Sequence, residues 1–131
     1  YPFNMFASDA SIRVFFDSGV PHPRGYGTNA RVLGKYVRDE RVITLEEAIR
    51  RMTSLPAQRF HFTNRGLLRE GFAADIVVFD AATVSDLSTF QRPHQYSTGF
   101  KYVLVNGVIE LENGQQNAIR NGAVLYGHGK Q

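Results

Sequence analysis

The stretch from Thr44 to Asp80 constrains the fold most, because its hydrophobic pattern changes from helical to strand-like within one short connector. Leu45, Ala48, Ile49 and Met52 fall at i, i+3, i+4 and i+7, which puts one apolar face on a helix. Thr44 is placed to cap that helix, with Glu47 three residues on to close a capping box. Pro56 then ends the helix or opens a short second one at its first position. Ile76, Val77, Val78 and Phe79 follow as an unbroken apolar run between Asp75 and Asp80. Four apolar residues without alternation predict a strand covered on both faces.

Size and composition limit what can surround this stretch. The chain has 131 residues, enough for one domain or a piece of a larger one. A chain of that length buries roughly two-thirds of its unfolded surface, so a real core is possible. Without cysteine there is no disulfide and no thiolate ligand. No apolar run reaches the length of a membrane span, and YPFNMFASDA lacks the basic start and apolar core of a signal peptide. The expectation is a cytoplasmic protein with no membrane partner. The chain does not begin with Met, which fits a piece of a longer polypeptide. Net charge is +3, and 12 of the 15 basic residues are Arg. They are scattered along the chain, whereas a nucleic-acid surface needs a basic stripe, so no nucleic-acid partner is expected.

In chain order, Asn4 to Ser8 reads as a short strand with Asp9 at its C-terminal end. Ala10 to Thr28 reads as a long irregular stretch, punctuated by Gly19, Pro21, Pro23, Gly25 and Gly27. Val14, Phe15 and Phe16 within it call for burial, or for a lid or partner-facing patch. A helix is predicted from Asn29 to Arg38, with Leu33, Tyr36 and Val37 on its apolar face. Beyond the central strand, ATVSDLSTF reads as loop or a short helical turn, and QRPHQYSTG as loop. His94 and Tyr96 there are read as packing residues, and His61 and His128 as surface residues. From Phe100 the period becomes two. YVLV, Asn106-Gly107 and VIEL predict a hairpin closed by a type I′ turn. Asn113-Gly114 marks a second turn, and Ala123 to Tyr126 offers a last strand. No His-x-His or comparable metal-ligand spacing occurs.

GLLREGFAADIVVFD, with the TSLPAQRF helix before it, resembles amidohydrolase-superfamily enzymes where the chain leaves the metal-binding barrel for a small β-sandwich. Ser8-Asp9, the PHPRGYGT run of residues 21–28 and Arg31-Val32-Leu33-Gly34 resemble one branch more closely, the N-acyl-D-amino-acid deacylases or D-aminoacylases. PHQYSTGFKYVLVNGVIELENGQ, residues 93–115, looks like the same family's C-terminal part. One departure is that the family commonly has Gly after the Asp, where this chain has Ala10.

The resemblance implies an α+β fragment. Residues 1–60 would be the end of a (β/α)8 barrel, with its last strand, active-site loop and helices. Residues 61–131 would be part of the β-sandwich, with its hairpin at 102–111. It also implies a zinc-dependent hydrolase of N-acyl-D-amino acids, most of whose metal ligands lie on earlier strands. The fragment would then be inactive alone. Asp9 would be the catalytic residue and a metal ligand, presented from the barrel rim where such enzymes do chemistry. There a carboxylate can take the proton of an attacking water and pass it to the departing amine. The other reading of Asp9 is a turn or helix cap. Arg24 is a candidate to grip the substrate carboxylate with its planar fork, or else to bond backbone carbonyls. His22 is a candidate substrate contact, a supporting donor or a loop residue, and Tyr26 is expected to pack. Two alternatives stand beside this. One is a dihydroorotase- or hydantoinase-like cyclic amide hydrolase. The other is a small interaction module that pairs through an exposed sheet edge, a homo-oligomer included.

Overall fold

In the computed structural model, residues 1–11 and 19–126 are described. Val14, Phe15, Phe16 and His128 lie outside them, and so do the expectations attached to them. The elements are α1 (Arg24–Arg31), a π-helical segment (Val32–Asp39), α2 (Leu45–Met52), α3 (Ser54–Arg59), β1 (Ile76–Phe79), β2 (Phe100–Val105), β3 (Val108–Glu112) and β4 (Gln115–Gln116). They fall into two compact units. One comprises Tyr1–Met5, Ile49–Phe79 and Phe100–Gln131; the other comprises Phe6–Ala48 and Asp80–Gly99.

The first unit carries a four-stranded antiparallel sheet in the order β1-β2-β3-β4. Asn106 and Gly107 both have positive φ, 49° and 82°, as the predicted type I′ turn demands. Val105 therefore pairs with Val108, and Leu104 with Ile109. Asn113 and Gly114 repeat the device at φ 49° and 81° and turn the chain into β4. The expected last strand at 123–126 does not form; residues 115 and 116 take that edge instead. Immediate reversal at Asn113-Gly114 delivers the next two residues to β3, whereas the later segment has no such turn to register it.

β1 is a strand, as read, and pairs antiparallel with β2 from Ile76↔Leu104 to Val78↔Tyr102. It is not covered on both faces: Val77 is 51% and Val78 41% exposed. β1 is an edge strand of a single sheet, and no second sheet lies over it among the described residues. The expected sandwich and barrel are thus represented by one antiparallel sheet and a set of helices.

The two Asp residues bracketing β1 have distinct jobs. In the first unit, Asp75 accepts the Asn106 backbone N–H at 2.8 Å and pairs with Arg65. Arg65 also donates to Asn106 Oδ1 at 2.6 Å, so the connector before β1 is tied to the hairpin turn. Burial pushes the Asp75 carboxyl up, but the Asn106 N–H and the Arg65 guanidinium outweigh it and hold it below its ordinary value. In the second unit, Asp80 accepts the Ala82 N–H at 2.9 Å and starts a turn.

The second unit packs α1 and the π-helical segment around the chain at Val84. Ala30, Val32, Leu33, Ala48 and Val84 are buried. Gly34 permits a close approach, because a Cβ there would lie 2.6 Å from the Val84 carbonyl oxygen. That oxygen accepts a hydrogen bond from Arg38 Nη1 at 2.7 Å. The widened winding ends with the Glu40 N–H donating to the Lys35 carbonyl, five residues back. Thr44 caps α2 as predicted, its Oγ1 accepting the Glu47 N–H at 3.3 Å. Pro56 is the third residue of α3, which starts at Ser54. Starting two residues earlier costs nothing at Pro56, since amides in a first turn lack intrahelical partners.

Two expectations near the N-terminus fail. Asn4–Ser8 is not a strand, because no other segment among the described residues pairs with it. The Asn4 N–H bonds locally instead, donating to the Tyr1 carbonyl. The helix predicted from Asn29 begins at Arg24, so the His-Pro-Arg run leads straight into its first turn and is not a loop.

Candidate functional site

Pro23 determines where the site residues stand. Its backbone is helical (φ −52°, ψ −28°), and the Tyr26 and Gly27 N–H groups both donate to its carbonyl at 3.1 Å. Proline's fixed φ suits a helix start. His22 completes the start from outside the helix. Its Nδ1 accepts the Arg24 backbone N–H at 3.0 Å, satisfying one of the donors that a helix N-terminus leaves open. A neutral His22 ring bonded in this way carries its proton on Nε2. The ring also meets Phe90 edge to face, with centroids 4.9 Å apart.

Arg24 then projects from the first residue of α1. Its Nη2 lies 2.9 Å from Asp9 Oδ2. Both side chains are substantially exposed, Asp9 at 83% and Arg24 at 47%. Asp9 has φ 48°, in the left-handed region, which Asp enters more readily than most residues. Ala10 follows it onto the helix: a Cβ on Gly25 would sit 3.4 Å from the Ala10 methyl, ordinary contact distance. The three residues picked from the sequence are therefore together, with His22 shaping the helix start and Asp9 paired to Arg24. Asp9 does not stand at a strand end, as expected from the sequence, but on an irregular segment beside α1.

Three further contacts fix α1 in its unit. Tyr26 Oη is 3.2 Å from His94 Nδ1, and His94 Nε2 is 3.1 Å from the Gly19 carbonyl. With the carbonyl as acceptor, Nε2 is the donor and Nδ1 receives the tyrosine hydroxyl. Ser97 Oγ donates to the Tyr26 carbonyl at 3.0 Å. Arg31 Nε donates to Asp86 Oδ2 at 3.0 Å, with the Asp86 side chain only 13% exposed. Gly27 makes room for that carboxylate, since a Cβ there would lie 2.7 Å from Asp86 Cβ. His94 and Tyr26 pack, as expected; no local sequence pattern marks the anchoring role of Asp86.

Among the described residues, no group of three or more His, Cys, Asp or Glu side chains is placed to hold a metal ion. Asp9 offers carboxylate oxygens, which suit zinc as one donor of several, but that carboxylate is engaged by Arg24. The described residues do not make up a zinc centre by themselves. Among them, too, no helix is long and apolar enough to cross a membrane.

The chain is similar in sequence and fold to known proteins. The profile of the amidohydrolase family matches residues 5–109. An N-acyl-D-aspartate deacylase from Alcaligenes xylosoxydans xylosoxydans is 47% identical over 105 residues, covering 80% of this chain and 21% of that protein. An N-acyl-D-glutamate deacylase from the same organism is 52% identical over 87 residues, covering 66% of this chain and 18% of that protein. The crystal structure of the N-acyl-D-glutamate deacylase from Bordetella bronchiseptica, complexed with zinc and a phosphonate mimic of the tetrahedral intermediate, superposes with a TM-score of 0.80 at 46% identity. It covers 90% of this chain and 24% of that one. The chain thus spans about a fifth of the length of the curated relatives it matches.

Proposed function

The chain belongs to the amidohydrolase family, and from that premise we propose that it is the C-terminal part of a zinc-dependent enzyme that deacylates N-acyl-D-amino acids. The observation that carries this reading is the 47% identity over 105 residues with an N-acyl-D-aspartate deacylase. On this reading residues 1–60 close the catalytic barrel and residues 61–131 belong to the neighbouring sandwich. The 131 residues alone do not turn over substrate.

The side chains divide the work by chemistry. Asp9 is the catalytic carboxylate and a ligand that this chain offers to zinc. It accepts a proton from water as the water oxygen bonds to the amide carbon. It returns that proton to the nitrogen as the C–N bond breaks, so that a carboxylic acid and an amine leave. Arg24 holds the α-carboxylate of the substrate, for which its fork of N–H donors is suited. His22 supports Arg24 through the backbone bond at 3.0 Å and presents Nε2–H as a further substrate donor.

The test is hydrolysis of N-acetyl-D- and N-acetyl-L-amino acids by the longer polypeptide that contains this chain, before and after chelation. The reading expects release of the D-amino acid, loss on chelation and recovery with zinc. A zinc-loaded full polypeptide that cleaves neither antipode defeats it. If the purified 131 residues bind stoichiometric zinc and hydrolyse the substrate unaided, the claim that they are a silent part is wrong.

A further inference from the structure

Two residues with separate tasks in the proposed reaction are engaged with each other. Arg24 Nη2 sits 2.9 Å from Asp9 Oδ2. The contact is built from both sides. His22 and Pro23 define the helix start that carries Arg24, while the left-handed backbone at Asp9 and the seat of Ala10 beside Gly25 bring the carboxylate to it. The Asp9 carboxylate has the same charge and planar pair of oxygens as the α-carboxylate of an amino acid. It therefore occupies donors that a substrate carboxylate also requires.

We propose that Asp9 is an internal occupant of the carboxylate grip of Arg24, and that an N-acyl amino acid binds by displacing it. This rests on the reading above that Arg24 recognises the substrate carboxylate. The exchange forms and breaks no covalent bond. Arg24 keeps an anionic partner throughout, and Asp9 is freed for its own task only when substrate has arrived. Both side chains are partly solvated, at 47% and 83% exposure, so the trade leaves no buried charge unpaired. An exposed pair of this kind is weak enough to be displaced by a ligand.

Self-competition has a measurable consequence. Removing the charge of Asp9 strengthens carboxylate binding through Arg24, although it removes turnover. The gain is up to about fivefold in Kd, the range available to an exposed ion pair, and it shrinks as salt is raised.

The experiment is a double-mutant cycle on the full-length enzyme, read by titration calorimetry. The probe is an N-alkyl-D-amino acid, in which a methylene replaces the scissile carbonyl, compared with the same amine lacking its carboxylate. Asp9→Asn is expected to tighten the carboxylate probe relative to its effect on the carboxylate-free amine. That gain is expected to vanish in the Arg24→Gln background. Any loss of bound zinc caused by Asp9→Asn enters both backgrounds and cancels in the cycle. If Arg24→Gln weakens the probe but Asp9→Asn shows no coupling to it, the displacement proposal is wrong while the assignment of Arg24 survives. If Arg24→Gln leaves the Kd of the carboxylate probe unchanged, both fail.

Discussion

Gly34→Ala tests the packing that holds the helical segment behind Arg24. In an open helix this substitution stabilises by about 1 kcal/mol, because alanine is the better helix former. At Gly34 the added Cβ would lie 2.6 Å from the Val84 carbonyl oxygen and 3.4 Å from Arg38 Nη2. Val84 is fully buried and the obstructing atom is backbone, so no side-chain rotation relieves the clash. Overpacking of this kind costs about 3 kcal/mol at its upper end, which leaves a net loss of about 2 kcal/mol. Urea unfolding followed by far-ultraviolet circular dichroism reads the loss as a midpoint lower by about 1 M. Two other glycines serve as controls. Gly122→Ala meets nothing within 4 Å and is expected to be neutral or slightly stabilising. Gly114→Ala also meets nothing, but its φ of 81° makes alanine strained, at a cost of about 1–2 kcal/mol. A Gly34→Ala protein as stable as Gly122→Ala would refute the claim that the Val84 backbone sets the identity of residue 34.

Other perturbations address the remaining contacts. Asp75 is held below its ordinary value in the folded chain, so its contribution is complete above the unfolded value of 3.8 and is lost as pH falls through the lower folded value. Urea midpoints measured from about pH 5 down to about pH 2.5 are expected to fall less steeply for Asp75→Asn than for the unaltered chain; equal slopes would contradict the linkage. Asn106→Ala removes the Arg65 acceptor, the 2.7 Å bond to the Asn121 carbonyl and a residue suited to φ 49°. It is expected to cost about 3 kcal/mol and to speed hydrogen exchange in β2 and β3, and an unchanged exchange pattern would count against the network. His22→Ala withdraws the acceptor of the Arg24 N–H and is expected to cost about 1 kcal/mol, with faster exchange of that amide. Unaltered exchange at Arg24 would mean that His22 does not hold the start of α1.

What was legible in the sequence was local. Thr44 with Glu47, and Asn106 with Gly107, act within a few residues of themselves, and both the α2 cap and the hairpin formed as read. The His-Pro-Arg run misled because two prolines and two glycines ordinarily break helices. Here Pro23 sits where a helix tolerates it, and Gly27 answers to Asp86. That partner lies far away in sequence, and nothing at residue 27 announces it. The unbroken apolar run at Ile76–Phe79 correctly marked a strand but not its cover, because the pattern reports what a strand needs and not what the same chain provides. Asp9, His22 and Arg24 each stand out in the sequence separately. Their meeting depends on the left-handed turn at Asp9 and the helix start at Pro23, neither of which spacing reveals.

The proposed chemistry stands or falls on the carboxylate of Asp9. The most direct measurement is kcat/KM of the full-length polypeptide for an N-acyl-D-amino acid, with and without Asp9→Asn, alongside a check that the fold is retained. The substitution conserves shape and removes the proton acceptor, so kcat/KM is expected to fall by about 10²–10⁴-fold with an unchanged circular dichroism spectrum. An intact Asp9→Asn protein that turns over the same substrate at the unaltered rate would contradict it.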